Sequence, residues 1–431
     1  MTYEEAIDYL LHKAWMPKTL RFYRMEKLME LMEHPYKAYK TIHVSGTNGK
    51  GSVVMYMSSI LGEAGYSWGY NISPHIEHWR ERIVVNGEEI PESDLADVIS
   101  YVAQYVKEVG RILGEEPTLF EIMTSAALEY LKKRKVDFGV IEVGIEGKYD
   151  ATNIINPELS MLVSLDLDHL KTLGGSIQNI AREARYVFRR GVPYGVVGPL
   201  RKGAHKFVKY RLSNLHIPAL WYGKDFYVKR VKNISLDGTV FDLYLDGRVY
   251  KDVRTSLVGL HQSINGAVAF AGAYMLSDRY KKITEDAIRR GLEKAFHKGR
   301  FEIISRTPLI IMDGAHNPHG MRALTSTLKK LGLTDFTVVF GVLGDKNVDE
   351  IVSLLAPYAK RWILVTPPSK RALPAPRLKK RLEDLGITNV VVNEDKETVL
   401  REIAGEDKIL FAGSLYMVGD WRPHVVRAFK K

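Results

Sequence analysis

The segment Thr41-Ile42-His43-Val44-Ser45-Gly46-Thr47-Asn48-Gly49-Lys50-Gly51-Ser52 sets one lysine and one hydroxyl in a glycine-dense turn between an apolar strand and a helix. Glycines let backbone N–H groups converge on an anion, and a helix N-terminus adds positive potential. Phosphate binding is the chemistry this suits. Lys50 can supply a point charge between phosphates, and Ser52 can hold a magnesium ion. The spacing is not the strict G-x-x-x-x-G-K-[ST] pattern, because position 44 is valine and Gly51 separates the lysine from the serine. A glycine-rich strand–helix turn without a ligand is the competing reading.

Elements able to position such a turn are legible on both sides of it. Apolar runs and helical spacing predict strands at 41–44, 67–72, 138–143, 161–165 and 192–197, and helices at 53–64, 92–113 and 120–134. This alternation predicts an α/β fold with a P-loop ATPase-like, largely parallel sheet and the glycine turn after its first strand. Two helices, 3–14 and 22–33, come before it. Residues 221–256 switch to strict alternation punctuated by Asp237-Gly238 and Asp246-Gly247, which predicts a small antiparallel β segment. Helices return at 261–277 and 284–296. A boundary is expected at His297-Lys298-Gly299-Arg300, dividing a first domain, 1–297, from a second, 298–431. The second repeats the pattern, with strands at 309–312, 337–340, 361–365, 389–392 and 408–411 and helices at 320–331, 348–358 and the C-terminus. A smaller Rossmann-like domain is the expectation.

Composition narrows the class. The chain has 431 residues, 45% hydrophobic and 26% charged, which is ordinary for a globular enzyme of two or three domains. No apolar run approaches the ~18 residues of a membrane span. The acidic start, Met1-Thr2-Tyr3-Glu4-Glu5, lacks a signal-peptide n-region, and cytoplasmic location is the expectation. With no cysteine there are no disulfides, thiolate ligands or cysteine nucleophile. A net charge of +11 suits either a nucleic-acid surface or a pocket for polyanionic small molecules. The clusters Lys132-Lys133-Arg134-Lys135 and Lys379-Lys380-Arg381 lack interleaved aromatics for base stacking, so they read as solvated helix faces.

Further segments follow in a telling order: Ser73-Pro74-His75, Glu142-Val143-Gly144, Asp150-Ala151-Thr152-Asn153, Asp166-Leu167-Asp168-His169, Gly299-Arg300-Phe301, Asp313-Gly314-Ala315-His316-Asn317-Pro318, Phe340-Gly341-Val342-Leu343 with Asp345-Lys346, and Gly413-Ser414-Leu415-Tyr416. Together with the glycine turn, they resemble the folylpolyglutamate synthases and dihydrofolate synthases of the Mur ligase superfamily. The resemblance runs from residue 18 to residue 420. It implies that ATP, with Mg2+, phosphorylates a folate carboxylate, and that L-glutamate then captures the acyl phosphate. Dihydropteroate is a second candidate acid, and a monovalent cation such as K+ a candidate requirement. The implied partners are small molecules, with no nucleic acid and no membrane, and the implied state is a monomer.

Site residues carry over position by position. For ATP the resemblance implies Asn48, Gly49, Lys50, Gly51 and Ser52 on the loop, Asn265 against the adenine, and Arg300 and Asp313 from the far side of a cleft. Ser73, Glu142 and His169 would be metal ligands. The folate pocket maps to Arg21, Phe22, Tyr23 and Arg24, to Thr118, Leu119, Phe120 and Glu121, and to Tyr149, Asp150 and Ala151. Phe120 could stack on a flat ring, or it could simply begin the core face of a helix. Lys50 would stabilise the transferring phosphoryl group, and His316 would orient glutamate or the acyl phosphate.

The pattern breaks in two places. The family usually carries a carbamylated lysine in an I-x-x-E-K-A-G-I segment, where it binds a second magnesium; here residues 180–187 align without gaps and Ala184 takes that position. Arg185 is expected to substitute a fixed positive charge for the ion and its ligand. Glu146 and Lys148 stand where the family has glycine and arginine, so the acid substrate is less sharply defined than the reaction. The alternatives are another Mur-type amino acid ligase, a P-loop nucleic-acid-binding protein and a non-catalytic relative.

Overall fold

Strand β1 (Lys40–Ser45) is buried at every residue after its first, as an interior strand covered on both faces must be. Around it lie β2 (Trp68–Asn71), β3 (Ile83–Val85), β4 (Glu88–Glu89), β5 (Phe138–Glu142), β6 (Leu159–Leu162), β7 (Tyr194–Val197) and β8 (Ala219–Trp221). They form an eight-stranded sheet in the order β4-β3-β2-β5-β1-β6-β7-β8. All pairings from β2 to β8 are parallel, whereas β2–β3 and β3–β4 are antiparallel. This computed structural model describes residues 1–15, 21–144, 147–166 and 176–430.

Helices cover both faces of the sheet. On one face the helices Lys50–Glu63, Leu260–Ser277 and Glu285–Lys294 share an apolar cluster with Val44, Phe138 and Met161. On the other, the helices Tyr3–Leu11, Tyr23–Leu31, Glu92–Leu113 and Leu119–Lys133 pack around Ile83, Val85 and Ile141. Next in the chain comes a three-stranded antiparallel sheet of β9 (Phe226–Ser235), β10 (Gly238–Leu245) and β11 (Arg248–Thr255), turning at the two Asp-Gly pairs. Its Phe241, Leu243 and Val253 join the first of those clusters.

A second mixed sheet orders β12 (Glu302–Arg306), β13 (Leu309–Met312), β14 (Phe336–Phe340), β15 (Ala359–Leu364), β16 (Val390–Val392) and β17 (Lys408–Ala412) as β12-β13-β17-β14-β15-β16. Only β12 runs antiparallel to its neighbour. Apolar clusters lie on both of its faces, the Rossmann-like arrangement expected. Among the described residues no helix is long and apolar enough to cross a membrane.

Two differences from the sequence reading matter. The glycine-turn helix starts at Lys50, not Val53, because Gly49 (φ 85°) takes the left-handed conformation at its N-cap. Lys50, Gly51 and Ser52 therefore form its first turn, where backbone N–H groups have no partner within the helix. The hairpin β3–β4 was not expected, although Asn86-Gly87 (φ 50° and 88°) is its turn and a strong signal of one.

Candidate active site

The parallel strands of both sheets direct their carboxyl ends into one cleft, the usual ligand position in α/β sheets. The cleft is a cavity of about 1650 Å³ lined from both lobes. Parallel register sets Val44 of β1 opposite Glu142 of β5, so the strand that feeds the glycine turn and the strand that ends in a carboxylate finish side by side.

The turn is held from beneath. Thr47 N donates to the Ser164 carbonyl (3.0 Å) and Asn48 N to Ser164 Oγ (3.1 Å), while Thr47 Oγ1 donates to the Asp166 carbonyl (3.2 Å). Any Cβ at Gly49 would collide with Asn265 Oδ1, so Asn265 closes over the turn. Asn265 Nδ2 donates to Gln262 Oε1 (3.1 Å), and Gln262 Nε2 donates to Ser52 Oγ (3.3 Å). His297 Nδ1 lies 3.4 Å from the same hydroxyl. Burial, then Arg300, lowers the His297 pKa to about 3, so its imidazole is neutral. Lys50 Nζ donates to the Gly46 carbonyl at 2.7 Å, which folds the cation over the turn.

Charge gathers beyond the loop. Ser73 N donates to Glu142 Oε2 at 2.9 Å. Burial raises the Glu142 pKa, opposed by Lys50, the Ser73 N–H, Arg300 and Arg82. Across the cleft, Asp313 accepts from Phe301 N and Ala315 N, both at 2.8 Å. Burial also raises Asp313, with Arg300 opposing, while desolvation lowers Arg300, with Asp313 and Glu142 opposing. The buried Glu142 carboxylate, the half-buried Ser73 beside it and the buried Ser52 hydroxyl on the glycine turn offer hard oxygen donors, and burial that strains the charge of Glu142 would be relieved by a cation. The donor set fits magnesium. His316 Nδ1 lies 2.9 Å from the Gly314 carbonyl and faces the cleft.

At the far end of the cleft most polar groups already serve one another. Arg24, 1% exposed, donates from Nε to Glu121 (3.1 Å) and from a terminal nitrogen to Glu115 (3.0 Å). Thr118 and Glu121 form a reciprocal capping box on the helix Leu119–Lys133. The Phe120 ring lies against Gly144, where a Cβ would overlap it. Leu119, Phe120, Tyr149, Asp150, Ala151 and Arg21 all line the cavity.

The structure does not gather every expected residue. Phe22 packs against the helical core and Tyr23 donates to Glu115 (2.7 Å), and neither lines the cleft. Arg185 is also elsewhere: its Nε donates to the Arg182 carbonyl (3.0 Å) and its guanidinium lies over Tyr186. The helix Ile177–Ala184 ends just before it, so the chain turns Arg185 off the face that Arg182 and Glu183 present to the cavity. Ala184 is 1% exposed within an apolar cluster. His169 and Glu146 lie outside the described residues.

Several cleft residues escaped the sequence reading. Arg82, buried at the end of the segment opened by Ser73-Pro74-His75, donates to His75 Nδ1 (2.9 Å), and burial lowers its pKa to about 10. His297 and Gln262 each lie three residues from a candidate ATP-binding residue, Arg300 and Asn265 respectively. Arg201 and His319 were likewise not expected: Asp166, the first residue of one of the family segments, accepts from Arg201 (2.6 Å) and lies 3.3 Å from His319 Nε2, linking the two lobes.

A glycine-turn sheet lobe facing a second parallel-sheet lobe across a charged cleft is Mur ligase architecture. The Mur ligase middle domain matches residues 44–273, and the Mur ligase glutamate ligase domain matches residues 299–415. Among curated relatives, the dihydrofolate synthase/folylpolyglutamate synthase of Bacillus subtilis (strain 168) is 32% identical over 424 residues, covering 95% of this chain and 97% of that protein. Among solved structures, Mycobacterium tuberculosis folylpolyglutamate synthase complexed with ADP superposes with a TM-score of 0.89 at 26% identity, covering 98% of each chain. An FPGS–AMPPCP–folate complex gives 0.83 at 30% identity, covering 99% of this chain and 100% of that one. The chain belongs to the folylpolyglutamate synthase/dihydrofolate synthase family of Mur ligases.

Proposed function

We propose that this chain is an ATP-dependent ligase that adds L-glutamate to folates through an acyl phosphate, with dihydropteroate as a second acid substrate. The observation that carries the reading is the convergence of the Lys50 turn, Glu142, Arg300 and Asp313 on one cleft in a chain of this family. A carboxylate resists amine attack until one of its oxygens becomes a good leaving group. Transfer of the terminal phosphoryl group from ATP supplies that group, and it demands positioning and charge neutralisation.

The first-turn N–H groups of Lys50, Gly51 and Ser52 would cradle the phosphates, with Asn265 beside the adenine. Lys50 would exchange the Gly46 carbonyl for the β- and γ-phosphates. Magnesium, held by Glu142, Ser73 and Ser52, would neutralise phosphate charge when bound. The acid carboxylate oxygen attacks the γ-phosphorus, the bond to the β-phosphate oxygen breaks, and ADP leaves. Arg300, whose charge is favoured by Asp313 and Glu142, would stabilise the charge moving between them. The glutamate amine then attacks the acyl carbon, phosphate leaves with the original carboxylate oxygen, and the amine sheds a proton. His316 would orient the amino acid or the acyl phosphate. Phe120, Tyr149, Asp150 and Ala151 would receive the ring of the acid. The methyl group of Ala184, set in an apolar cluster, offers no ligand to a second metal, and among the described residues lining the cleft Arg185 is not present to replace one. We also read the protein as a cytoplasmic monomer, with potassium an accessory to be tested.

The test is ADP formation by the purified protein with magnesium and glutamate, with tetrahydrofolate and dihydropteroate supplied separately. Glutamate-dependent ADP release with at least one acid is expected. No ADP release with either would overturn the reading.

A further inference from the structure

His43 lies in the middle of β1 and is fully buried. Its Nε2 is 2.8 Å from Thr152 Oγ1, itself fully buried. Both the hydroxyl and the backbone N–H of Thr152 donate to one oxygen of Asp150, Oδ1. Asp150 lines the cleft. A carboxylate oxygen only accepts, so the Thr152 proton points to Asp150, and Oγ1 must accept from His43. The imidazole is thereby fixed as the Nε2–H tautomer. Burial, then Arg189, lowers the His43 pKa to about 3, which keeps the ring neutral.

The other ring nitrogen, Nδ1, is buried with no hydrogen-bond partner among the described residues. An orphaned buried nitrogen is costly, and leucine or phenylalanine in the same strand position would carry no such cost. Helix capping does not require it either. Asp150 caps the short turn Ala151–Ile154 through the Thr152 N–H, a bond that needs neither the hydroxyl nor the imidazole. The chain of bonds runs from the sheet interior to a carboxylate on the cavity wall. Asn153 steadies the same rim by donating to the Gly147 (2.7 Å) and Lys148 (3.2 Å) carbonyls, and Lys148 N donates to Glu183 (3.0 Å).

We propose that His43 is a positioning residue for the acid substrate: through Thr152 it fixes the Asp150 carboxylate on the cavity wall, to accept N–H groups of the substrate's ring. This rests on the substrate pocket assigned under the proposed function. A fixed acceptor binds without first losing freedom, so loosening it weakens ground-state binding of that substrate and leaves the chemical step intact.

Steady-state kinetics on the full chain test this. Thr152→Val is expected to raise the KM for the folate acid about tenfold, with kcat and the KM for ATP changed less than about twofold. Thr152→Ser and His43→Gln, which keep a hydroxyl and a donor near Nε2, should stay close to wild type, whereas His43→Leu should match Thr152→Val. In an Asp150→Asn background, Thr152→Val should add nothing further. An unchanged folate KM in a folded Thr152→Val protein would overturn the proposal. So would equal rises in the KM for folate and for ATP, or a full effect in the Asp150→Asn background. If wild type itself releases no glutamate-dependent ADP, the proposed function fails instead, and the two failures are distinct.

Discussion

At the phosphate end of the cleft, Glu142, Asp313 and His297 are buried and Arg300 is desolvated, and in each case burial pushes the group toward its neutral form. At the far end Arg24, Glu121 and Thr118 are equally buried, yet each is already hydrogen-bonded to another. Burial opposes the Arg24 charge too, but Glu121 and Glu115 outweigh it and raise its pKa. One end holds charge in tension until a polyanion and its counter-ion arrive. The other is a settled wall whose shape is fixed before any ligand comes. Preorganised charge suits a reacting phosphoryl group, and a rigid wall suits recognition of a flat ring at low entropic cost.

Substitutions can break this comparison from either side. The largest effect is expected at the phosphate end. Lys50→Ala should cut glutamate-dependent ADP release by about 10³–10⁵-fold with an unchanged melting temperature, because among the described residues Lys50 bonds only to a loop carbonyl. At the far end the order of effects reverses. Glu121→Ala takes one of two carboxylates from the buried Arg24 guanidinium, leaving Glu115, and opens the Thr118 capping box; it should cost about 1–3 kcal/mol of stability, read by urea denaturation. A Lys50→Ala protein that unfolds, or a Glu121→Ala protein as stable as wild type, would erase the distinction.

Acid should probe the buried His43 and His297 and the half-buried His75 and His261. His43, His75 and His297 have pKa values lowered to about 3 and His261 to about 4, each first by burial. Unfolded, they titrate near 6.5, so between those limits the unfolded chain binds more protons and stability falls as pH falls. Each contributes a slope of about 1.4 kcal/mol per pH unit in that window. Denaturation midpoints measured from pH 7 to pH 4.5 should drop steadily, and His43→Gln should make the drop shallower. The smallest effect is expected from Phe120→Ala. Loss of ring stacking should raise the KM for the folate acid about tenfold and leave the KM for ATP alone.

The same contrast explains what was legible in the sequence. The glycine turn is local: its glycines, lysine and serine are neighbours in the chain, so their chemistry could be read directly. Strand alternation likewise exposed both parallel sheets and the Asp-Gly hairpins. Contacts between distant segments could not be read that way. Arg24 and Glu121 are 97 residues apart, so a structural ion pair looked like two candidate ligands. Arg185 directly follows Ala184, which takes the family's lysine position, but the helix ends at Ala184 and one residue of turn carries the Arg185 side chain off the cleft face. Arg82 and His297 acquire their meaning only when the loop after β2 and the segment between the sheets come to line one cleft with the glycine turn.

Whether the two ends cooperate in one reaction is tested most directly by isotope transfer. The acid substrate would be supplied with ¹⁸O in its reacting carboxylate, and the phosphate released during glutamate addition analysed by mass spectrometry. One labelled oxygen per phosphate is expected, because the carboxylate oxygen that attacks phosphorus leaves with it. Unlabelled phosphate accompanying amide formation would contradict the acyl phosphate route.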